Sequence, residues 1–196
     1  MNLPDNLCFV DLETTGTATN YHRIIEIGIV KVANGQIVRE YKQLVNPQTY
    51  IDPFITSMTG ITEEVLVHAP TFAQIKDEVF ELLDNAVFVA HNVGFDYGFL
   101  RSEFKRYDIS FIANHFCTVR LSRILFPNWE RHNLDAVINH FNIPCTNRHR
   151  AYDDAKVLYE FWKKAQQTID EETFQQAVLR TLKEPTPQQE SICFAC

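Results

Sequence analysis

The spacing of apolar and polar positions opens the chain as β structure. Residues 7–13, LCFVDLE, form a short apolar run broken by acids, and residues 24–32, IIEIGIVKV, are dense in β-branched side chains. Asn34-Gly35 is a type I′ hairpin signal, and residues 36–45, QIVREYKQLV, continue beyond it. The pattern predicts three strands, at least two of them antiparallel. The apolar period then becomes helical. Phe72, Ile75, Val79, Leu82 and Leu83 follow Thr71, which can form a capping box with Gln74. Residues 86–91, AVFVAH, read as a buried strand, and a helix starts near Gly94 or Phe95, with Phe95, Phe99 and Leu100 on one side. Residues 114–119 read as a further strand. Leu134, Val137, Ile138 and Phe141 mark a short amphipathic helix, and Ala151 to about Gln166 a longer one. A last helix is predicted from about Asp170 to Lys183. Asp170 is its cap, Glu171 and Glu172 suit its N-terminus, and Arg180 and Lys183 its C-terminus. Pro185 and Pro187 end regular structure, and a flexible tail is expected after them. Strands first, then strands mixed with helices, give an α/β fold: a mixed sheet flanked by helices.

Composition adds exclusions. A chain of 196 residues suits one domain, able to bury roughly 70% of its unfolded surface. With 45% hydrophobic and 22% charged residues, 6 Gly and 8 Pro, it is not a disordered, collagen-like or low-complexity protein. No apolar run approaches the roughly 20 residues of a membrane span. The N-terminal MNLPDNLC has no basic segment or long apolar stretch, so no secretory signal is expected. Five scattered cysteines, Cys8, Cys117, Cys145, Cys193 and Cys196, suit reduced thiols and a cytoplasmic setting. Lys plus Arg number 18 and Asp plus Glu 25, a net charge of −7. That excludes gripping DNA by bulk charge, but not a nucleic-acid enzyme whose acids hold metal ions.

Three segments carry chemistry. Asp11-Leu12-Glu13-Thr14-Thr15-Gly16 ends the first strand. Positions i and i+2 of a strand face one side, so Asp11 and Glu13 project together. There they repel and lose solvation unless a cation joins them. Such oxygen ligands suit Mg²⁺ or Mn²⁺; the other reading is two solvated acids before a turn. His91-Asn92-Val93-Gly94-Phe95-Asp96 spans a strand-to-helix junction. Asp96 there is a ligand or a complement to the helix dipole. In Arg148-His149-Arg150-Ala151-Tyr152-Asp153-Asp154, His149 is in a loop and two acids begin the next helix. They are capping acids, or a metal ligand beside an imidazole able to take a proton from water.

In this order, D-x-E, an Asp after H-N-x-x-F, and H-x-A-x-x-D resemble the three motifs of the DEDDh 3′–5′ exonucleases. The resemblance runs over nearly all of residues 7–165. It includes Ser57-Met58-Thr59-Gly60-Ile61-Thr62 and Asn133-Leu134-Asp135. It is nearest to the epsilon subunit of bacterial DNA polymerase III and the exonuclease domain within other C-family polymerases. It implies an RNase H-like fold. The chain is then expected to divide into an exonuclease domain over 1–168, a C-terminal helix over 169–184 and the tail over 185–196. It also implies that Asp11, Glu13, Asp96 and Asp154 hold two divalent ions, Mg²⁺ with Mn²⁺ able to substitute, and that His149 is the general base. The H-x-A-x-x-D spacing selects Asp154 over Asp153. Thr14, Thr15 and Gly16 match a segment contacting the 3′-terminal nucleotide, and Thr59 lies where the family places a residue near it. His91, Asn92 and Phe95 are pocket candidates, with a strand-end histidine and a core phenylalanine as the other readings.

The activity so implied is hydrolysis from DNA 3′ ends, releasing nucleoside 5′-monophosphates, in proofreading, replication or repair, with a polymerase subunit as a partner. The alternatives are an exoribonuclease like oligoribonuclease or RNase T, and a non-catalytic nucleic-acid-binding module. Arg148 and Arg150 adjoin the motif and are read as contacts to the nucleic-acid backbone. Arg101, Lys105 and Arg106, and Arg120 and Arg123, are read as solvated helix faces. Trp129 is the one aromatic read as exposed in a loop, where it could stack on a base. Residues 189–194, QESICF, resemble a sliding-clamp docking peptide. The terminal CFAC has the form of a prenylation signal, and an inert terminus is the further reading.

Overall fold

The computed structural model describes residues 3–184, so the clamp-peptide and prenylation readings of the tail lie outside the described residues. Five strands form one mixed sheet: β1 (Asn6–Thr14), β2 (Ile24–Ala33), β3 (Gln36–Leu44), β4 (Val87–Ala90) and β5 (His115–Cys117). Their order is β3-β2-β1-β4-β5. β1 and β2 pair antiparallel, as do β2 and β3, while β4 runs parallel to β1 and β5 parallel to β4. Asn34 and Gly35 both take positive φ, 49° and 77°, as a type I′ hairpin requires.

Helices cover both faces. α3 (Phe72–Leu83) and α4 (Val93–Lys105) lie on one. Thr71 and Gln74 form the capping box, with Thr71 N donating to Gln74 Oε1 at 2.8 Å. α5 (Thr118–Leu125), α6 (Leu134–Phe141), α7 (Ala151–Thr168) and α8 (Glu171–Thr181) lie on the other. Asp170 caps α8 by accepting from Thr173 N at 2.9 Å. α8 is not a loose appendage, because Phe174, Ala177 and Val178 are buried in the same core as Phe9, Phe161 and Trp162. No described helix is long and apolar enough to cross a membrane.

Three helices depart from the sequence pattern. α1 (Pro53–Thr59) and α2 (Glu63–Leu66) form a small module whose Ile61 and Leu66 pack on Ile25. α1 has clear ends, with Asp52 capping Phe54 N, Pro53 at its start and Gly60 left-handed at its close. It is only seven residues long, too short to set up an apolar period. The strand expected over 114–119 stops at Cys117, and α5 begins at once. Thr118, β-branched and strand-like in composition, instead turns its hydroxyl back to Ala90 O at 3.3 Å.

Two residues of β2 fix where α7 begins. A Cβ on Gly28 would stand 2.2 Å from the backbone carbon and oxygen of Ala151, so the helix rests directly on bare strand. Glu26 is fully buried and holds the helix start from below. Its carboxylate accepts from Ala151 N at 2.9 Å and pairs with Arg150, Nη2 to Oε1 at 2.7 Å. Gly28 pairs with Asp11 and Glu26 with Glu13 across the antiparallel ladder. The helix is therefore anchored opposite the two acids of β1.

Gly28→Ala should accordingly lower stability by about 3 kcal/mol, at the top of the usual overpacking range because backbone rather than a flexible side chain must move. Gly94→Ala should be neutral or slightly stabilising, since nothing lies within 4 Å of a Cβ there. Urea unfolding midpoints of the two variants test the contrast.

Candidate active site

β1 outruns its parallel neighbour. Pairing with β4 covers only Leu7 to Phe9, so Asp11 and Glu13 extend beyond the carboxyl end of β4. Strand alternation puts both on the face of Phe9, the face that α7 covers. The free edge left at Leu12 is closed from α4: Leu12 N donates to Asp96 Oδ1 at 3.1 Å. Asp96 is buried in the first turn of that helix. The helix begins at Asn92 in the left-handed conformation, φ 73°, which lets the chain leave β4 and turn sharply.

From the other face, the first turn of α7 brings Asp154, 3% exposed. Its Oδ2 accepts from the backbone N of His149 at 3.2 Å and from Arg148 Nη1. Arg148 Nε also binds Asp135 Oδ1 at 2.7 Å, which ties α6 to the α7 loop. His149 has φ 60°, an uncommon conformation for a non-glycine residue that places the imidazole at the cavity. Glu13, His149 and Asp154 each offer a ligand atom, and the three lie within 4.8 Å of one another.

These groups line one cavity of about 190 Å³, together with Leu12, His91, Asn92, Phe95, Leu134 and Arg148. Among the described residues no Lys, Arg or His nitrogen lies within 4.0 Å of the carboxylate of Asp11 or Glu13, and the buried Asp154 Oδ1 has no hydrogen-bond partner. Burial pushes the Asp11 carboxyl well above the usual range, and the charges of Asp96, Asp154 and Glu13 push it further. Glu13 rises to about 7, chiefly by burial and then by Asp154 and Glu26. Burial also raises Asp96 well above the usual range, against the pull of its backbone hydrogen bonds. Asp154 is raised by burial despite Arg148. Carboxyl oxygens gathered this closely, with Asp154 Oδ1 buried and unpartnered among the described residues, match the donor set of a hard divalent cation.

His91 behaves differently. Its Nδ1 lies 2.9 Å from Thr118 Oγ1, whose own proton goes to Ala90 O. With the Thr118 proton so used, Nδ1 is the donor of that pair; the buried Nε2 has no hydrogen-bond partner among the described residues, though the His132 backbone nearby opposes part of the fall in pKa. Burial lowers the pKa of His91 to about 4, so the ring is neutral near pH 7.

The remaining sequence candidates lie outside the cavity. Thr14 Oγ1 donates to Gly16 O at 2.7 Å and Thr15 Oγ1 accepts from Arg23 N at 3.0 Å, so both hydroxyls hold their own turn. A Cβ on Gly16 would meet the His22 ring at 2.5 Å, which explains glycine there. Thr59 is buried, bonded to Ile55 O and Ile61 N. Arg150 turns away to Glu26. Trp129 is not a free loop aromatic: it is half-buried, and its indole stacks on Phe126 at 4.5 Å and on His140 at 4.0 Å. Leu12 and Leu134, which line the cavity, read as core positions by periodicity. Gly28 and Glu26, which anchor α7, lie in an apolar strand run, where only the acid in IIEIG was a signal.

Comparison with known proteins fits this geometry. The RNase_T model, described as an exonuclease, matches residues 8–161. The chain is 38% identical over 176 residues to the 3′–5′ exonuclease DinG of Staphylococcus epidermidis, covering 89% of this chain and 19% of that protein. It is 36% identical over 161 residues to the PolC-type DNA polymerase III of Caldanaerobacter subterraneus, covering 82% of this chain and 12% of that one. The chain thus spans about a fifth or less of either relative. Among solved structures, exonuclease X in complex with 5′ overhanging duplex DNA superposes with a TM-score of 0.68 at 24% identity, covering 87% of this chain and 98% of that one. The nuclease domain of 3′hExo, a DEDDh family member bound to rAMP, gives 0.71 at 21% identity, over 85% and 94%. These two show the shared fold. The family match runs through Asp11, Glu13, Asp96, His149 and Asp154 alike, and the chain belongs to the RNase_T family of exonucleases.

Proposed function

We propose that this chain is a metal-dependent 3′–5′ exonuclease that acts on DNA ends and releases nucleoside 5′-monophosphates. One observation carries the reading: four carboxylates from three separate segments converge with His149 on one cavity, and among the described residues no Lys, Arg or His nitrogen lies within 4.0 Å of the carboxylates of Asp11 and Glu13. The direction and the DNA substrate are supported by what the relatives are named, a 3′–5′ exonuclease and a DNA polymerase III. A replicative polymerase is the corresponding proposed partner.

Asp11, Glu13, Asp96 and Asp154 would hold two divalent ions, Mg²⁺ in the cell with Mn²⁺ as a substitute. Such ions supply Lewis acidity toward the scissile phosphate and lower the pKa of water. The chain's own groups do the rest. His149 stands half-exposed on a loop clamped to Asp154 through its backbone, so its ring can reach the attacking water and accept its proton. Arg148 holds Asp154 in place and adds a positive charge beside the cavity. Asp96, fixed by Leu12 N–H, cannot swing away from β1. Thr14, Thr15, Gly16 and Thr59 shape the turn and helix beyond Glu13, where the terminal nucleotide is proposed to rest. His91, Asn92 and Phe95 close the cavity wall.

Asp11→Ala and Asp154→Ala should reduce hydrolysis of 5′-labelled single-stranded DNA to background while the fold survives. His149→Ala should lower the rate by about 10²–10⁴-fold with metal still bound. The readout is a shortening ladder with Mg²⁺ or Mn²⁺, with matched RNA run alongside to read the sugar preference. Near-wild-type turnover by Asp11→Ala would sink the two-ion assignment.

The raised acids also predict a pH signature. Glu13 ordinarily titrates near 4.5 and here near 7, so the folded state holds that proton more tightly than the unfolded chain. The resulting stability is complete below about 4.5 and is lost as pH rises through about 7. Metal-free protein should therefore show a falling Tm between pH 5 and 7.5. Mn²⁺ should raise Tm more at pH 7.5 than at 5, because bound metal requires ionised ligands. Glu13→Gln should flatten the metal-free slope.

A further inference from the structure

Arg148 is the cation that the fold sets against the four carboxylates. Among the described residues it is the only Lys or Arg with a nitrogen within 4.0 Å of any of them, and it stands on Asp154 Oδ2. Its Nε is held from the other side by Asp135 Oδ1 at 2.7 Å. Nη2 makes no hydrogen bond among the described residues, and the side chain lines the carboxylate cavity. The two arginines that flank His149 are thus held very differently. Arg150 commits Nε and Nη2 to Glu26, which is fully buried. Arg148 rests on Asp135, whose side chain is 60% exposed, and on a single oxygen of Asp154. The other oxygen, Oδ1, is buried without a hydrogen-bond partner. The H-x-A-x-x-D spacing accounts for His149, Ala151 and Asp154 and leaves position 148 unexplained. Cations elsewhere near the site lack such a bond. Arg101, Arg120 and Arg123, expected on solvated helix faces, instead border with Lys183 an adjoining groove of about 890 Å³, and among the described residues none of the four has a carboxylate within 4.0 Å.

We infer that Arg148 is an exchangeable counter-ion: it offsets Asp154 until divalent ions bind, and then turns its guanidinium, still held at Asp135, to a non-bridging oxygen of the scissile phosphate. The inference rests on the exonuclease reading of the cavity and adds a phosphate-contacting residue to it. Charge decides the exchange. One guanidinium offsets a single carboxylate of the four. Two divalent ions offset all four by themselves, and Arg148 is then a surplus positive charge at the cavity wall. A phosphodiester brings one negative charge to that wall. The planar guanidinium fork matches phosphate as well as it matches carboxylate, so the change of partner costs no geometry. Asp135 lies on α6, apart from the ligand set, and keeps its bond to Nε throughout. The bond to Asp154 is then temporary and the bond to Asp135 permanent. Arg150 cannot play this part, because leaving Glu26 would strand a buried carboxylate.

The test is Arg148→Gln in the full chain, with Arg148→Met as a second variant that keeps the packing of the stem. Binding of Mn²⁺ without nucleotide is followed by the electron paramagnetic resonance of the free ion. Both variants should bind Mn²⁺ at least about threefold more tightly than wild type, because a positive charge a few ångströms from a divalent ion has been removed. A residue that only positions Asp154 would do the opposite, with an affinity lower by about 10–100-fold in the variants. Thymidine 5′-monophosphate is then titrated at saturating Mn²⁺. Its affinity should fall by about tenfold or more in both variants, the usual loss for a hydrogen bond to a charged group. Mn²⁺ binding no tighter than that of wild type, or thymidine 5′-monophosphate held as tightly as by wild type, would overturn the exchange. Failure of the exonuclease reading looks different: wild type binds Mn²⁺ and leaves DNA 3′ ends intact, while the two titrations still decide the role of Arg148.

Discussion

Four carboxylates confined to one small cavity repel one another and lose hydration, and the rest of this fold is arranged to hold them there. Three devices fix the four acids. Asp11 and Glu13 are fixed by strand register against Gly28 and Glu26. Asp96 is fixed by the Leu12 N–H left open where β4 ends. Asp154 is fixed by a helix that rests on Gly28 and is gripped by Glu26 from beneath. Burial and mutual repulsion push the carboxyls of Asp11, Glu13 and Asp96 upward, in keeping with that tension. Such tension persists only where the surrounding packing is rigid. Here it is, with aromatic side chains such as Phe9, Phe116 and Trp162 closely packed behind the site.

The buried ion pair of Glu26 and Arg150 belongs to this support rather than to substrate contact. Replacing such a pair by apolar residues is often harmless elsewhere. In this fold its carboxylate also caps the first turn of α7, the helix that carries Asp154, through Ala151 N. Arg148, two residues away, serves the carboxylate cavity directly. Two arginines that flank one histidine therefore do different work, because one side of the loop faces the cavity and the other faces β2.

The groove bordered by Arg101, Arg120, Arg123 and Lys183 and the carboxylate cavity share one wall. Acids concentrated at one point can draw in divalent cations but repel a phosphate chain. Their shared wall, His91 and Asn92, is neutral: burial keeps the imidazole uncharged, so it adds to neither field.

Much of this was legible in the sequence. The β1–β3 hairpins, α3, α4 and α6 to α8 followed from apolar periodicity, capping residues and Asn34-Gly35, because those signals are local. D-x-E, H-N-x-x-F-D and H-x-A-x-x-D were legible for the same reason: each places its acid at the end of a strand or the start of a helix. α1 and α2 escaped because they are too short to show a period, and α5 because a β-branched run reads as strand until a tertiary hydrogen bond turns it. Other features depend on contacts between residues far apart in the chain: the role of Gly28, the use of Arg150 on Glu26, the stacking of Trp129 and the gathering of Arg101, Arg120, Arg123 and Lys183. By itself, then, the sequence determined which residues could do chemistry and the elements that carry them. The tertiary structure alone decided which of them meet, because meeting depends on sheet order and on the one strand position without a side chain, where α7 can touch down.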